Sequence, residues 1–337
     1  MLVTPGYSAI ANAVWDAVEP AVDTILEHVS FNPYLREVDG GTPYDVLDPT
    51  LDVSKAGVII EKLANRGVPA IAGANSPNIL HDVSHMGNFP VALSLLRVGY
   101  DGIEVENDRG ILRKIFLNQQ QILIDQKREI GDLGTADKLI QERRELLKLL
   151  IQRGADVNRQ DEYGWRNLGQ PLYWALLYSK DYECVRIMLD AGARISDAFV
   201  DEHSTSEGLL RAFFNKVTGW CNENLYPNNA SVMRVRVEFE SYEEPVKLLL
   251  ERGARIDASS HDQESALIEI CYRDWDWEDC THELEFVAKH ARLRNVSAEY
   301  VEGLMKWKNG NTRVRHLLEQ LYEKLRNEEY WNDRCLD

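Results

Sequence analysis

Two stretches of this 337-residue chain carry side chains at a spacing that could hold a metal. His81-Asp82-Val83-Ser84-His85 puts two imidazoles at i and i+4, on one face of any helix that forms there. The pair lacks a third ligand nearby and the glutamate that would complete a hydrolytic zinc motif, so a structural role is the stronger reading. Asp274-Trp275-Asp276-Trp277-Glu278-Asp279 sets acids at the first, third and fifth positions of a loop, with Glu285 at the twelfth. A calcium loop needs glycine at the sixth position for its sharp turn, and that position is Asp279. No metal and no cofactor is therefore expected. No nucleophile elbow, phosphate loop or dinucleotide fingerprint occurs, and no catalytic residue is assigned. If a pocket existed, Tyr173, His203 and Asp161 would be its acid–base candidates.

The aromatic residues point to binding. Eight tryptophans are many for an acidic chain with 9% aromatics. Trp165, Trp220, Trp275 and Trp277 fall outside the apolar periodic segments, as does Tyr226, and Tyr163 and Arg166 flank Trp165. Tryptophan, tyrosine and arginine give large contact area at low entropic cost and concentrate at binding hot spots. Tyr163, Trp165, Arg166, Trp220, Tyr226, Trp275 and Trp277 are accordingly the expected partner-binding residues. Small cores within the loops are the competing explanation. Trp15 and Trp174, at helical core spacing, are expected to pack.

The elements that must position these residues announce themselves by repetition. A short apolar helix closing on Gly-Ala or a near copy recurs at Glu61–Val68, Leu93–Tyr100, Leu147–Ala155, Arg186–Ala193 and Lys247–Ala254. A unit that repeats cannot bury its apolar face alone, so neighbours must stack. In Asn78–Asp101 a first helix begins at Ile79-Leu80-His81 and closes at Gly87. A second, lined by Val91, Leu95 and Leu96, closes at Gly99. Asp161–Asp197 repeats the scheme with Pro171-Leu172-Tyr173-Trp174-Ala175, Val185, Met188-Leu189 and Gly192-Ala193.

These units resemble the ankyrin repeat. The family's T-P-L-H stands as Asn78-Ile79-Leu80-His81, its inter-helix glycine as Gly87 and its terminal Gly-Ala as Gly99-Tyr100. The resemblance implies that His81 hydrogen-bonds within and between adjacent loops. Four weaker copies follow the same register: Thr42-Pro43-Tyr44 with Ile59, Leu63 and Gly67; Gly110–Phe116 with Leu146–Ala155; Leu209–Phe214 with Val246–Ala254; and Ser265–Tyr272 with Leu284–Ala291. The expected fold is mainly all-α, an ankyrin-type solenoid of stacked helix pairs. Residues 1–41 and 294–337 read as helical caps around an array at 42–293, with cap helices at Ala9–Val29 and Ala298–Arg326.

Successive terminal glycines from Gly67 to Gly253 lie 32, 55, 38 and 61 residues apart, against about 33 in the family. Two long insertions result, near 118–140 and 218–241. The first reads as a projecting helical hairpin, with arms Gly110–Ile130 and Ala136–Gln152 about the turn Gly131–Gly134. Each arm exceeds a normal repeat helix by about two to three turns. In the second, Val235, Val237 and Phe239 alternate with polar residues, which predicts a small β element. A shorter extra, Trp165–Gln170, lengthens the loop before Pro171 and puts Trp165 near its tip.

Net charge is −17, which disfavours nucleic acid and acidic membrane surfaces. Residues 1–107 alone hold fourteen acids and five bases. No apolar run approaches the ~20 residues of a membrane span. Five scattered cysteines without a CxxC pair suit an intracellular protein, cytoplasmic or nuclear. The expected function is a protein-binding scaffold that uses its concave face and loops on a partner protein, with a basic partner the one its charge favours. Two alternatives stand beside it: a small-molecule-binding protein or enzyme roofed by the insertions, and an inhibitor or immunity factor masking a basic target. The oligomeric state is not fixed by the sequence.

Overall fold

The computed structural model describes residues 8–28, 31–34, 36, 41–72, 78–103, 110–116, 124, 126–127, 130–159, 162–163, 166–167, 170–179, 181–195, 199–200, 206–207, 209–217, 242–257, 265–272, 281–307 and 312–334. The chain divides into two compact units, Met1–Arg159 and Gln160–Asp337.

The first unit contains α1 (Ala9–Trp15), α2 (Glu19–Glu27), α3 (Val53–Asn65), α4 (Ile79–Met86), α5 (Phe89–Arg97), α6 (Ile111–Lys114) and α7 (Leu133–Gln152). Helices α4 and α6 lie side by side in one layer, while α3, α5 and α7 pack in succession in the other. Each helix begins and ends where local chemistry dictates. The Asn78 side chain caps α4 by accepting from the His81 amide. Asp52 and Asp132 do the same for α3 and α7. Gly67, Gly99 and Gly154 follow α3, α5 and α7 with φ of 78°, 92° and 99°. In that left-handed region a Cβ is strained, so the repeated glycine is the stop signal.

Neighbouring helices within a layer are clamped by more than apolar contact. Arg153, just past α7, donates from Nη2 to the Leu96 carbonyl at the end of α5 (2.9 Å). It meets the negative end of the neighbouring helix dipole, where a cation is favourable.

The second unit opens on a hairpin, β1 (Glu162–Tyr163) with β2 (Arg166–Asn167), and continues through α8 (Pro171–Ser179) and α9 (Tyr182–Asp190). A second hairpin, β3 (Phe199–Val200) with β4 (Ser206–Glu207), precedes α10 (Leu209–Val217) and α11 (Glu243–Glu251). Then come α12 (Ala266–Tyr272), α13 (Thr281–His290), α14 (Ala298–Trp307) and α15 (Thr312–Arg334). Here α8, α10 and α12 form one layer and α9, α11, α13 and α15 the other. Leu248, Leu249 and Leu250 of α11 are all buried, and that helix has neighbours on both flanks, α9 and α13. Each such leucine contributes on the order of 1.5–3 kcal/mol. Gly192 and Gly253 repeat the stop, at φ of 89° and 90°.

Four expectations are corrected. The helix expected over Ala9–Val29 is two helices, α1 and α2, broken at Asp16–Val18. Trp15, expected in the core, is 59% exposed, because Ile10, Ala11, Ala13 and Val14 form the inward face of α1 and its last residue falls on the other side. In the earliest repeat, residues 43–46 form a turn where later repeats have a first helix. The first arm of the projecting hairpin is not one helix from Gly110, since α6 ends at Lys114 and turns at Ile115 and Phe116. Residues 117–123 lie outside the described ones. Beyond them Ile124 packs against Ala136, Leu139 and Ile140 of α7. The second arm is as long as expected: α7 has 20 residues against 9 in α5, α9 and α11, about 16 Å more. The strand expected within 218–241 lies outside the described residues.

Ala17, after α1, sits at φ 51°, the one non-glycine positive φ among the described residues. The hydrogen bonds Ala17 N to Val14 O and Val18 N to Ala13 O are those Gly67 and Val68 make after α3. An alanine there bears a left-handed strain of about 1–2 kcal/mol, partly offset by the flexibility that glycine adds to the unfolded chain. Ala17→Gly is expected to stabilise the first unit by about 0.5–1 kcal/mol in urea unfolding, the reverse of the usual penalty for glycine beside a helix. A loss of stability would mean the turn is unstrained.

Candidate protein-binding surface

In the first unit, the start of α4 and the loop after α5 are held together by buried polar contacts. His81 is 1% exposed, and its Nε2 lies 3.0 Å from the Ile103 carbonyl in the next loop. Asn78 donates from Nδ2 to the Gly102 carbonyl (2.7 Å). A Cβ on Gly102 would fall 2.5 Å from the Tyr100 ring and 2.8 Å from Asn78 Nδ2, so the loop can close only on glycine. His81 therefore ties adjacent loops together, and the exposed His85 one turn on shares no metal site with it: among the described residues no cluster of His, Cys, Asp and Glu could hold a metal ion.

Tyr100 stands where the repeat ordinarily ends in Gly-Ala, and its bulk is put to use. Its hydroxyl donates to Asp45 Oδ1 in the earliest loop. Asp45 Oδ2 accepts from the amide (2.7 Å) and the hydroxyl (3.2 Å) of Thr42, which also reaches the Ile71 carbonyl (3.3 Å). Tyr44 packs edge-on against Tyr100 and donates to the Val68 carbonyl (3.4 Å). Burial raises both phenols well above the ordinary tyrosine value, and for Tyr100 the neighbouring Asp45 charge adds to it.

In the second unit the hairpin β1–β2 pairs Tyr163 with Arg166 and Glu162 with Asn167, immediately ahead of α8. Two expected partner-binding residues are thereby brought across from one another on a single hairpin. Trp165, between them in sequence, lies outside the described residues, as do Trp220, Tyr226, Trp275 and Trp277. At the start of α8, Tyr173 takes the place of the family histidine and stacks edge-on with buried Trp174, centroids 5.4 Å apart. Trp174 thus packs as expected, and Tyr173 is half-buried. The other acid–base candidates, Asp161 and His203, lie outside the described residues. So does the acidic turn 274–279, while Glu285 is engaged by Arg313 (2.9 Å).

Paired antiparallel helices in two layers, left-handed glycines at matched positions and loops joined through buried side chains define a helical repeat protein. A family model described as "Ankyrin repeats (many copies)" matches residues 138–197, the segment from within α7 through α9 and its Gly192-Ala193 ending. That segment carries ankyrin repeats, and the helix pairs on either side of it resemble them. Solved structures similar to it include the ankyrin repeat domain of human ASB11, at 15% identity over 77% of this chain and 90% of that one, with a TM-score of 0.43. The ankyrin repeat domain of Bcl-3, described as a unique member of the IkappaB protein family, is 15% identical over 79% and 95%, with a TM-score of 0.45. No curated protein matches the sequence.

Proposed function

We propose that this protein is a scaffold that binds a partner protein through the hairpin loops and first helices of its repeats. The observation that carries the reading is the pairing of Tyr163 with Arg166 on a hairpin set directly before α8. Tyrosine and arginine are residue types that concentrate at binding hot spots, and here they are register partners on one ladder. Trp165, between the two in sequence, and the insertion residues Trp220 and Tyr226 would extend the contact, with Trp275 and Trp277 as further aromatic residues. The net charge of −17 favours a basic partner, in an intracellular compartment.

Tagged protein in native extract is expected to retain a stoichiometric partner that Tyr163→Ala with Trp165→Ala releases, while Tyr34→Ala, at an exposed residue of the first unit, does not. Raising salt from 0.1 to 0.5 M is expected to weaken the complex if the partner is basic. A partner equally retained by the double variant would refute the hairpin as the contact.

A further inference from the structure

The far end of the second unit carries a different surface. The last helix, α15, buries Val314, Leu317, Leu318, Leu321 and Leu325, and then runs on for more than two turns. Its overhang presents Trp331 at 62% exposure. Lys324, Glu328 and Trp331 follow one another at helical spacing, so Trp331 extends the side of α15 that faces the end of α13. That side is fixed by charge-assisted bonds. Lys324 Nζ donates to the Ala288 and Lys289 carbonyls (3.0 and 2.7 Å), capping the negative end of α13. Glu328 accepts from Arg292 Nη1 (2.7 Å) and from the Leu293 amide (3.1 Å). Between these anchors and Trp331 lies an open groove of about 540 Å³, lined by Arg292, Lys324, Asn327, Glu328, Trp331 and Asn332.

The segment that contributes Arg292 to this groove is opposite in charge to the chain. From Phe286 to Ala298 there is no acidic residue, but Lys289, His290, Arg292 and Arg294. Glu328 is matched by Arg292, whereas exposed Lys289 and Arg294 form no ion pair with a described residue. Burial and then Lys289, Lys247 and Lys324 hold His290 below the usual imidazole value, against an opposing pull from Glu243. The Asn327 and Asn332 carboxamides make no hydrogen bond to a described residue and can pair with a peptide backbone.

We propose that this groove docks a short acidic segment of a partner protein, with an apolar side chain against Trp331 and carboxylates over Lys289 and Arg294. Charge complementarity selects the occupant: these cations form no ion pair with a described residue, on a chain whose net charge repels long polyanions such as nucleic acid. The surface shares no residue with the Tyr163–Arg166 hairpin, so either assignment can fail alone.

The test is fluorescence anisotropy of a labelled dodecapeptide, Glu and Asp around a central Leu-Phe pair, titrated with the full chain. Binding is expected, weakening as salt rises. Trp331→Ala should reduce affinity about tenfold, the scale of a hot-spot truncation. Lys289→Ser with Arg294→Ser should remove most of the salt dependence. All three positions are exposed, and unchanged thermal unfolding would confirm intact folds. The proposal is overturned if the peptide fails to bind at millimolar concentration, if a Lys-for-acid peptide or a dodecathymidylate binds as well, or if Trp331→Ala binds like the parent. It is equally overturned if sedimentation shows that a second copy of the chain fills the groove.

Discussion

Asn295→Ala is expected to destabilise the second unit by about 3 kcal/mol, more than loss of any single surface ion pair. Asn295 is fully buried between the end of α11 and the start of α14. Its Nδ2 donates to the Leu250 and Ala254 carbonyls (2.9 and 2.8 Å), and its Oδ1 accepts from the Arg292 amide (2.8 Å). Its own carbonyl accepts from Ile256 N (2.9 Å), which holds the backbone in place whatever the side chain. Alanine removes three hydrogen bonds at about 1 kcal/mol each and strands polar groups that water cannot reach. Leu250 O keeps a bond from Gly253 N, so the loss falls short of the full desolvation of both carbonyls. Asn295→Asp should be worse near neutral pH, because a carboxylate would face two carbonyl oxygens, and should recover as acid neutralises it. Urea unfolding followed by circular dichroism measures both. A loss under about 1 kcal/mol for alanine would show that the three bonds are not made.

What the sequence made legible was set by local stereochemistry. The terminal glycines could be read because one backbone conformation demands them, and the first helices because Asn78, Ser265 and Pro171 mark starts. α7 could be read because apolar residues recur at helical period over its length. His81 could be assigned to its neighbouring loop because its place in the repeat fixes its reach. What escaped was decided by contacts distant in sequence or by too few residues to show a pattern. The strands of β1–β2 have two residues each, too short for alternation to appear. Ala17 occupies a glycine's conformation without a glycine's signature. Trp15 has core spacing, yet the helix ends on it. The bond from Tyr100 to Asp45 spans 55 residues, and the one visible hint was a tyrosine standing where the repeat has alanine. At the candidate site, Tyr163 and Arg166 were singled out by composition, but their pairing required the hairpin.

That same tyrosine makes the first unit sensitive to alkali. Tyr44 and Tyr100 are fully buried and their phenols are raised far above the value of an exposed tyrosine, by burial in both and by the Asp45 charge at Tyr100. In the unfolded chain both ionise near pH 10. Above that pH the unfolded state holds fewer protons than the folded one, so stability is intact below about pH 10 and falls as pH rises through it. Each buried phenol contributes a slope of about 1.4 kcal/mol per pH unit, so the pair gives about 2.7. By pH 12 the deficit, about 5 kcal/mol, rivals the whole stability of a small domain. The first unit is therefore expected to unfold between about pH 11 and 12, with 295-nm tyrosinate absorbance rising in step with loss of helix. Tyr100→Phe separates the causes. At pH 7 it should cost about 1–2 kcal/mol, since Asp45 loses one donor but keeps the Thr42 amide and hydroxyl. Above pH 10 it should halve the slope. A slope unchanged by Tyr100→Phe, or tyrosinate forming near pH 10 with helix intact, would mean these phenols reach water in the folded protein.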